Sequence, residues 1–157
     1  MAVKLTGMEE IQKTLAEIAA KINAGDESDV MVAAQIVRGA AIKSIQKRSG
    51  GIKYSKLAQG GENRYTHQAS KAGDAPNTDT GDLVSNIGVK TFSGLTGFGF
   101  EIESKSGHSE ALEFGTKRGL APRPFLRPAI ANSEKQILKH FSRQINRAIK
   151  KSKKGKK

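Results

Sequence analysis

The chain has 157 residues, 36% hydrophobic and 5% aromatic, with no Trp and no Cys, which bounds it to one domain with a small core and excludes disulfide scaffolds and thiolate metal sites. Its formal net charge of +12 is lodged mainly at one end: nine Lys or Arg and no acid occur from Lys139 onward, which leaves +3 on the first 138 residues. No apolar run approaches the roughly 20 residues of a membrane span, and the opening M-A-V-K-L-T-G lacks an apolar signal segment, so a soluble chain that is not exported by that route and assembles inside the cell is expected.

Met8, Ile11, Leu15, Ile18 and Ile22 recur at spacings of three and four, one stripe of an amphipathic helix. After A-G-D-E-S-D, a stop and cap signal, Val30, Ala33, Val37, Ala40, Ala41 and Ile45 form a second and wider apolar face whose small residues allow close packing. Residues 47–79 are then rich in Gly, Ser, Lys, Asn and Gln, with Ile52, Tyr54, Leu57 and Tyr65 as anchors, and read as a long mobile loop that could reach a neighbouring subunit. In Asp79-Thr80-Gly81-Asp82, either Asp79 or Thr80 can cap a short helix containing Leu83, Val84 and Ile87.

Gly88 to Phe92 and Thr96 to Ser104 flank S-G-L-T as a hairpin, and Phe98, Phe100 and Ile102 alternate with Gly99, Glu101 and Glu103 as in a half-buried antiparallel strand. His108 to Phe114 suits a third strand or a short helix. Ile137, Leu138, Phe141, Ile145, Ala148 and Ile149 stripe a long C-terminal helix, started either by Pro128 at its first position or by Ser133 as cap with Gln136 three later. Residues 150–157, K-K-S-K-K-G-K-K, are low in complexity and expected to be disordered. The elements together predict an α+β fold: a small antiparallel sheet, a hairpin plus one or two strands, packed by two N-terminal helices and a long C-terminal helix. Residues 1–149 form the single domain and 150–157 its basic tail.

The most informative stretch runs from Glu113 to Asn132, E-F-G-T-K-R-G-L-A-P-R-P-F-L-R-P-A-I-A-N. Three prolines and two glycines fix its path, Phe125 and Leu126 supply an apolar plug, and the whole reads as a stiff segment that positions an anchor. This run, F-G-T followed by A-P-R-P-F-L-R-P-A, together with A-P-N-T-D-T-G-D-L-V-S-N-I from Ala75 to Ile87, resembles the tail-completion or neck proteins of long-tailed bacteriophages. The resemblance implies a virion structural protein, assembled in the host cytoplasm, that forms a ring at the head-tail junction, usually hexameric in the family. Its partners would be the head connector or head-closure protein on one side and the tail tube or tail terminator protein on the other. By position, Phe114, Gly115, Thr116, Arg123, Pro124, Phe125, Leu126, Arg127 and Pro128 match the family pattern as interface or anchor residues, as do Pro76, Thr80, Gly81 and Leu83. The basic end departs from that pattern, and Lys150, Lys151, Lys153, Lys154, Lys156 and Lys157 are candidate contacts to genomic DNA in a ring lumen.

No catalytic signature accompanies these features. His67, His108 and His140 lack metal-ligand spacing, Gly115-Thr116-Lys117 lacks the earlier glycine of a phosphate loop, and no serine sits in G-x-S-x-G. Asp79 and Asp82 lie three apart, but capping needs fewer assumptions than paired-carboxylate chemistry. The expectation is therefore a non-enzymatic structural subunit without cofactor or metal. A basic nucleic-acid-binding protein is the alternative, although no reading module is present. A virion hydrolase or nuclease is disfavoured by the same survey.

Overall fold

The computed structural model describes residues 27–58, 60–94 and 97–154, with the side chains of 94, 97 and 152–154 left aside. The helix expected over Met8 to Ile22 lies outside the described residues, as do Lys156 and Lys157. The order of elements is α1 (Glu27–Gln46), β1 (Lys53–Leu57), β2 (Arg64–Gln68), α2 (Asp82–Ser85), β3 (Ile87–Gly94), β4 (Gly97–Ser104), α3 (Ser109–Phe114) and α4 (Leu126–Lys154). This is an α+β fold with two antiparallel hairpins, β1-β2 and β3-β4, and a long C-terminal helix. No described helix is long and apolar enough to cross a membrane.

Glu27 and Asp29 in the first turn of α1 and Lys43 in its last complement the helix dipole. Its buried residues Val30, Ala33, Ala34, Val37, Ala41 and Ile45 keep the helical spacing, so a single stripe meets both α4 and the β3-β4 hairpin. In that hairpin Val89 pairs with Ile102 and Thr91 with Phe100, placing these side chains on one face. Phe100 and Ile102 pack against the core. On the opposite face Phe92 lies over its partner Gly99, where a Cβ would come within 2.5 Å of the ring, so the aromatic needs glycine across from it. The guanidinium of Arg38 donates to the Ile87 carbonyl at 2.8 Å and ties α1 to the start of β3.

The buried cluster is small: Val37, Ala41, Ile45, Ile87, Phe125 and Ala129. Phe125 is fully buried and is the largest member, so the proline-rich loop drives its plug into the core of its own subunit.

Three sequence expectations change, and one left open between two readings is decided. Residues 47–79 are not a structureless loop, because β1 and β2 form a hairpin inside them, with Lys53 opposite Gln68 and Leu57 opposite Arg64. All of β1 and most of β2 are exposed, so neither strand shows the in-out alternation that would have announced it. Of the two readings open for His108 to Phe114, the short helix is the one found, over Ser109–Phe114. The start of α4 is Leu126, which makes Pro128 its third residue and leaves Ser133 in the interior, buried and with no hydroxyl partner among the described residues. Finally, α4 continues to Lys154 instead of ending before a disordered tail, since Lys is a good helix former and a helix already nucleated propagates at low cost.

Phe125→Ala should cost about 3 to 5 kcal/mol, the usual range for emptying a filled aromatic site. Chemical unfolding of the purified variant measures it. Loss of under about 1 kcal/mol would mean that the core does not depend on this plug.

Candidate functional site

Glu113 lies in the last turn of α3, and its side chain is only 5% exposed. One carboxylate oxygen accepts from the backbone amides of Phe125 at 2.8 Å and Leu126 at 3.0 Å, and the other from the amide of Arg127 at 3.1 Å and its guanidinium at 3.0 Å. These amides are among the orphan donors of the first turn of α4, and Pro128, next in line, has no N–H to satisfy. A carboxylate at this end also meets the positive pole of a 29-residue helix. Burial pushes the Glu113 carboxyl up, but the three backbone donors and the Arg127 guanidinium outweigh it and hold it below the usual glutamate range.

The residues of the proline-rich loop take different roles around this cap. Gly115 has φ +77°, and a Cβ there would come within 2.6 Å of the Leu120 carbonyl, so only glycine fits. Thr116 closes the turn, its amide donating to the Leu120 carbonyl at 2.9 Å and its hydroxyl accepting from the Leu120 amide at 3.3 Å. The Arg123 amide donates to the Leu112 carbonyl, and its guanidinium reaches the Ser70 carbonyl at 3.3 Å. Pro124 and Pro128 are half-buried, Phe125 is buried, and Leu126 packs against the core. Phe114 and Arg127 instead face out, with the guanidinium 4.9 Å from the ring centroid. The stretch thus divides into an inward anchor (Phe125, Leu126) and an outward pair (Phe114, Arg127).

The stretch from Ala75 onward supports the β1-β2 hairpin. The Asn77 side chain donates to the carbonyls of Ser49 and Gln68, both at 2.8 Å, and accepts from the Ser49 amide at 2.8 Å, clamping the two ends of the hairpin together. Pro76 is buried beside it. Asp79 does not cap α2. Its carboxylate takes Lys56 at 2.6 Å, Tyr65 at 2.9 Å and His67 at 3.2 Å, all from the hairpin. Burial raises the Asp79 carboxyl, yet the bonds from Lys56 and Tyr65 prevail and it sits below its ordinary value. The residue preceding α2 is Gly81, with no side-chain cap, and Thr80 gives only a 3.4 Å contact to the Asp82 amide. Three partners on one hairpin hold Asp79 away from the helix end.

Between hairpin and body lies an open groove of about 940 Å³, bordered by Tyr54, Leu57, Tyr65, His67, Leu83 and Arg123. Asp82 turns away from Asp79, accepting from the Ser106 hydroxyl at 2.5 Å and the Asn86 amide at 2.8 Å, so the two acids do not form a carboxylate pair. His108 is exposed at the start of α3, and His140 pairs with Asp29 at 3.0 Å beside Gln144. His67 and His140 therefore stand on separate acids, and His108 belongs to neither pair. Among the described residues no group of three or more His, Asp or Glu is placed to hold a metal ion. Of the basic tail, Lys150 and Lys151 are exposed on α4, and Lys153 and Lys154 lie on its last turn.

The residue that sequence reasoning passed over is Glu113. A signal existed, since it is the sole acid between Glu110 and Glu134 in a stretch otherwise basic. No known family model, curated protein or solved structure matches this chain.

Glu113→Ala should destabilise the fold by about 2 to 3 kcal/mol, the sum expected for losing a cap and leaving buried amides unpaired. Because the folded carboxyl titrates below its unfolded value, this stabilisation is complete above about pH 4.3. It is lost as pH falls through the lowered folded value. Urea unfolding from neutral to acid pH should show Glu113→Gln weaker than wild type at pH 7 and converging on it in acid. A gap independent of pH would remove the charge from the account.

Proposed function

We propose that this chain is a structural subunit of a phage neck, a ring at the head-tail junction that closes the tail and joins it to the head connector. The observation that carries the reading is the β1-β2 hairpin. A two-stranded hairpin is marginal alone in water. This one presents Ile52, Tyr54, Leu57 and Tyr65 at 68%, 48%, 56% and 37% exposure, and is held to the body by the Asn77 clamp and the Asp79 latch. Such an element gains its remaining apolar contacts from a neighbour. Phe114, at 64% exposure on the stiff loop, lies outside the groove that Tyr54, Leu57 and Tyr65 border and marks a second outward surface. Ring closure by head-to-tail contacts requires two different complementary surfaces on each subunit, and these two are candidates.

The matched residues support the same reading. Phe125, Leu126, Pro124 and Pro128 build the loop from inside, Gly115, Thr116 and Arg123 shape it, and Phe114 and Arg127 are left for contact. Ring stoichiometry, usually six in the family, and the assignment of connector and tail proteins to the two ends belong to the proposal. So does the virion location.

Sedimentation over a wide concentration range, with and without the head connector protein, tests it. Wild type should form closed assemblies in at least one condition. Tyr54→Ser combined with Leu57→Ser should lose them while keeping the wild-type melting temperature, because these side chains lie outside the core. A strict monomer in both conditions would overturn the ring.

A further inference from the structure

Helix α4 carries a second feature that the ring reading does not use. Lys135, Lys139, Arg143, Arg147, Lys150 and Lys151 are all exposed. At 3.6 residues per turn they fall within an arc of about 160°, and from Lys135 to Lys151 they extend about 24 Å along the axis. The apolar residues Ile137, Phe141, Ile145 and Ala148 point the other way and are partly buried, on the side where α4 packs along α1.

Among the described residues no carboxylate pairs with any of these six cations. Asp29, at the edge of the arc, is occupied by His140 and Gln144. No acid occurs after Glu134. Lys135 with Lys139, Lys139 with Arg143, Arg143 with Arg147, and Arg147 with Lys151 are like-charge pairs four residues apart, each unfavourable to the helix. A face serving only solubility would interleave acids and remove this repulsion. Here the repulsion is retained along the whole face, which an extended polyanion would relieve.

We infer that this face of α4 binds the phosphate backbone of duplex nucleic acid, independently of sequence. Its regular, uniformly cationic row suits a regular array of phosphates. The other outward positions are the neutral Gln136, Ser142 and Asn146 and the exposed Leu138, which lies outside the cationic arc, and no aromatic residue is available there to stack on single-stranded bases. An amphipathic membrane helix would keep its apolar side free, whereas this one is packed on α1. The inference differs from a disordered-tail contact, since four of the six cations precede residue 150, and it does not rest on the ring reading.

The test is fluorescence anisotropy of a 30-base-pair duplex with the full chain at several salt concentrations. If all six cations engage, log K against log salt should have a slope of about −5. The combined variant Lys139→Gln, Arg143→Gln, Arg147→Gln should lower that slope by about 2 to 3 and keep the wild-type melting temperature and sedimentation profile. Deleting 150–157 should remove only part of the slope. Three results would overturn the inference: an unchanged slope in the triple variant, complete loss of binding on deleting the tail alone, or displacement of the duplex by polyglutamate as effectively as by DNA at equal charge, which would mark a docking face for an acidic protein. Loss of assembly in the triple variant would likewise assign the face to subunit contact.

Discussion

The fold depends on one buried carboxylate. Glu113, in the last turn of α3, accepts from the amides of Phe125, Leu126 and Arg127 and so fixes where α4 begins and in which direction it leaves the loop. Phe125 enters the core from the residue just before the helix, and Ala129 follows one turn later on the same side. The carboxylate also draws Arg127 back over α3, where the Glu113 carbonyl accepts from the guanidinium at 3.0 Å, and this aligns the cation with the Phe114 ring. One acid therefore couples the helix start, the aromatic plug and the outward pair. The low-dielectric setting makes each of its bonds stronger and makes its removal correspondingly costly.

Around that centre, stability is unevenly distributed. The α1, α4 and β3-β4 elements share the apolar cluster, whereas the β1-β2 hairpin is attached by polar contacts, the Asn77 clamp at its base and the Asp79 latch near its turn. Hydrophobic burial accumulates with area, while partly exposed ion pairs contribute little, as the 46% exposed Lys56 side chain does. The hairpin belongs to the low-stability end of the molecule, where elements that rearrange on assembly are drawn from. Asp79 and Asn77 set its position without filling its apolar faces, leaving those faces to be buried elsewhere.

Exposed apolar residues occur on the β1-β2 hairpin, at Phe114, on the outer face of the β3-β4 hairpin at Phe92, and on α4 itself at Ile130 and Leu138, while the cations of α4 line an arc that excludes those two. A subunit that contacts protein through one region and polyanion through another needs this separation, because an unpaired cation inside an apolar interface would be desolvated without compensation.

What the sequence by itself determined was everything governed by neighbours along the chain. The period of Val30 to Ile45, the alternation of Phe98, Phe100 and Ile102, the stripe from Ile137 to Ile149 and the stiffness of A-P-R-P-F-L-R-P all depend on spacings of two to four residues, and each appears as an element of the expected kind. What only the tertiary structure decided lies between residues far apart. The Asp79 side chain was legible as a cap but is claimed by Lys56, Tyr65 and His67, 12 to 23 residues earlier, because a charged donor outcompetes an exposed helix amide. The hairpin within 47–79 was hidden because a strand exposed on both faces leaves no periodic trace. Glu113 was hidden because its partners lie 12 to 14 residues away. A hydrogen bond that spans a loop leaves residue types in the sequence but no spacing rule by which to pair them.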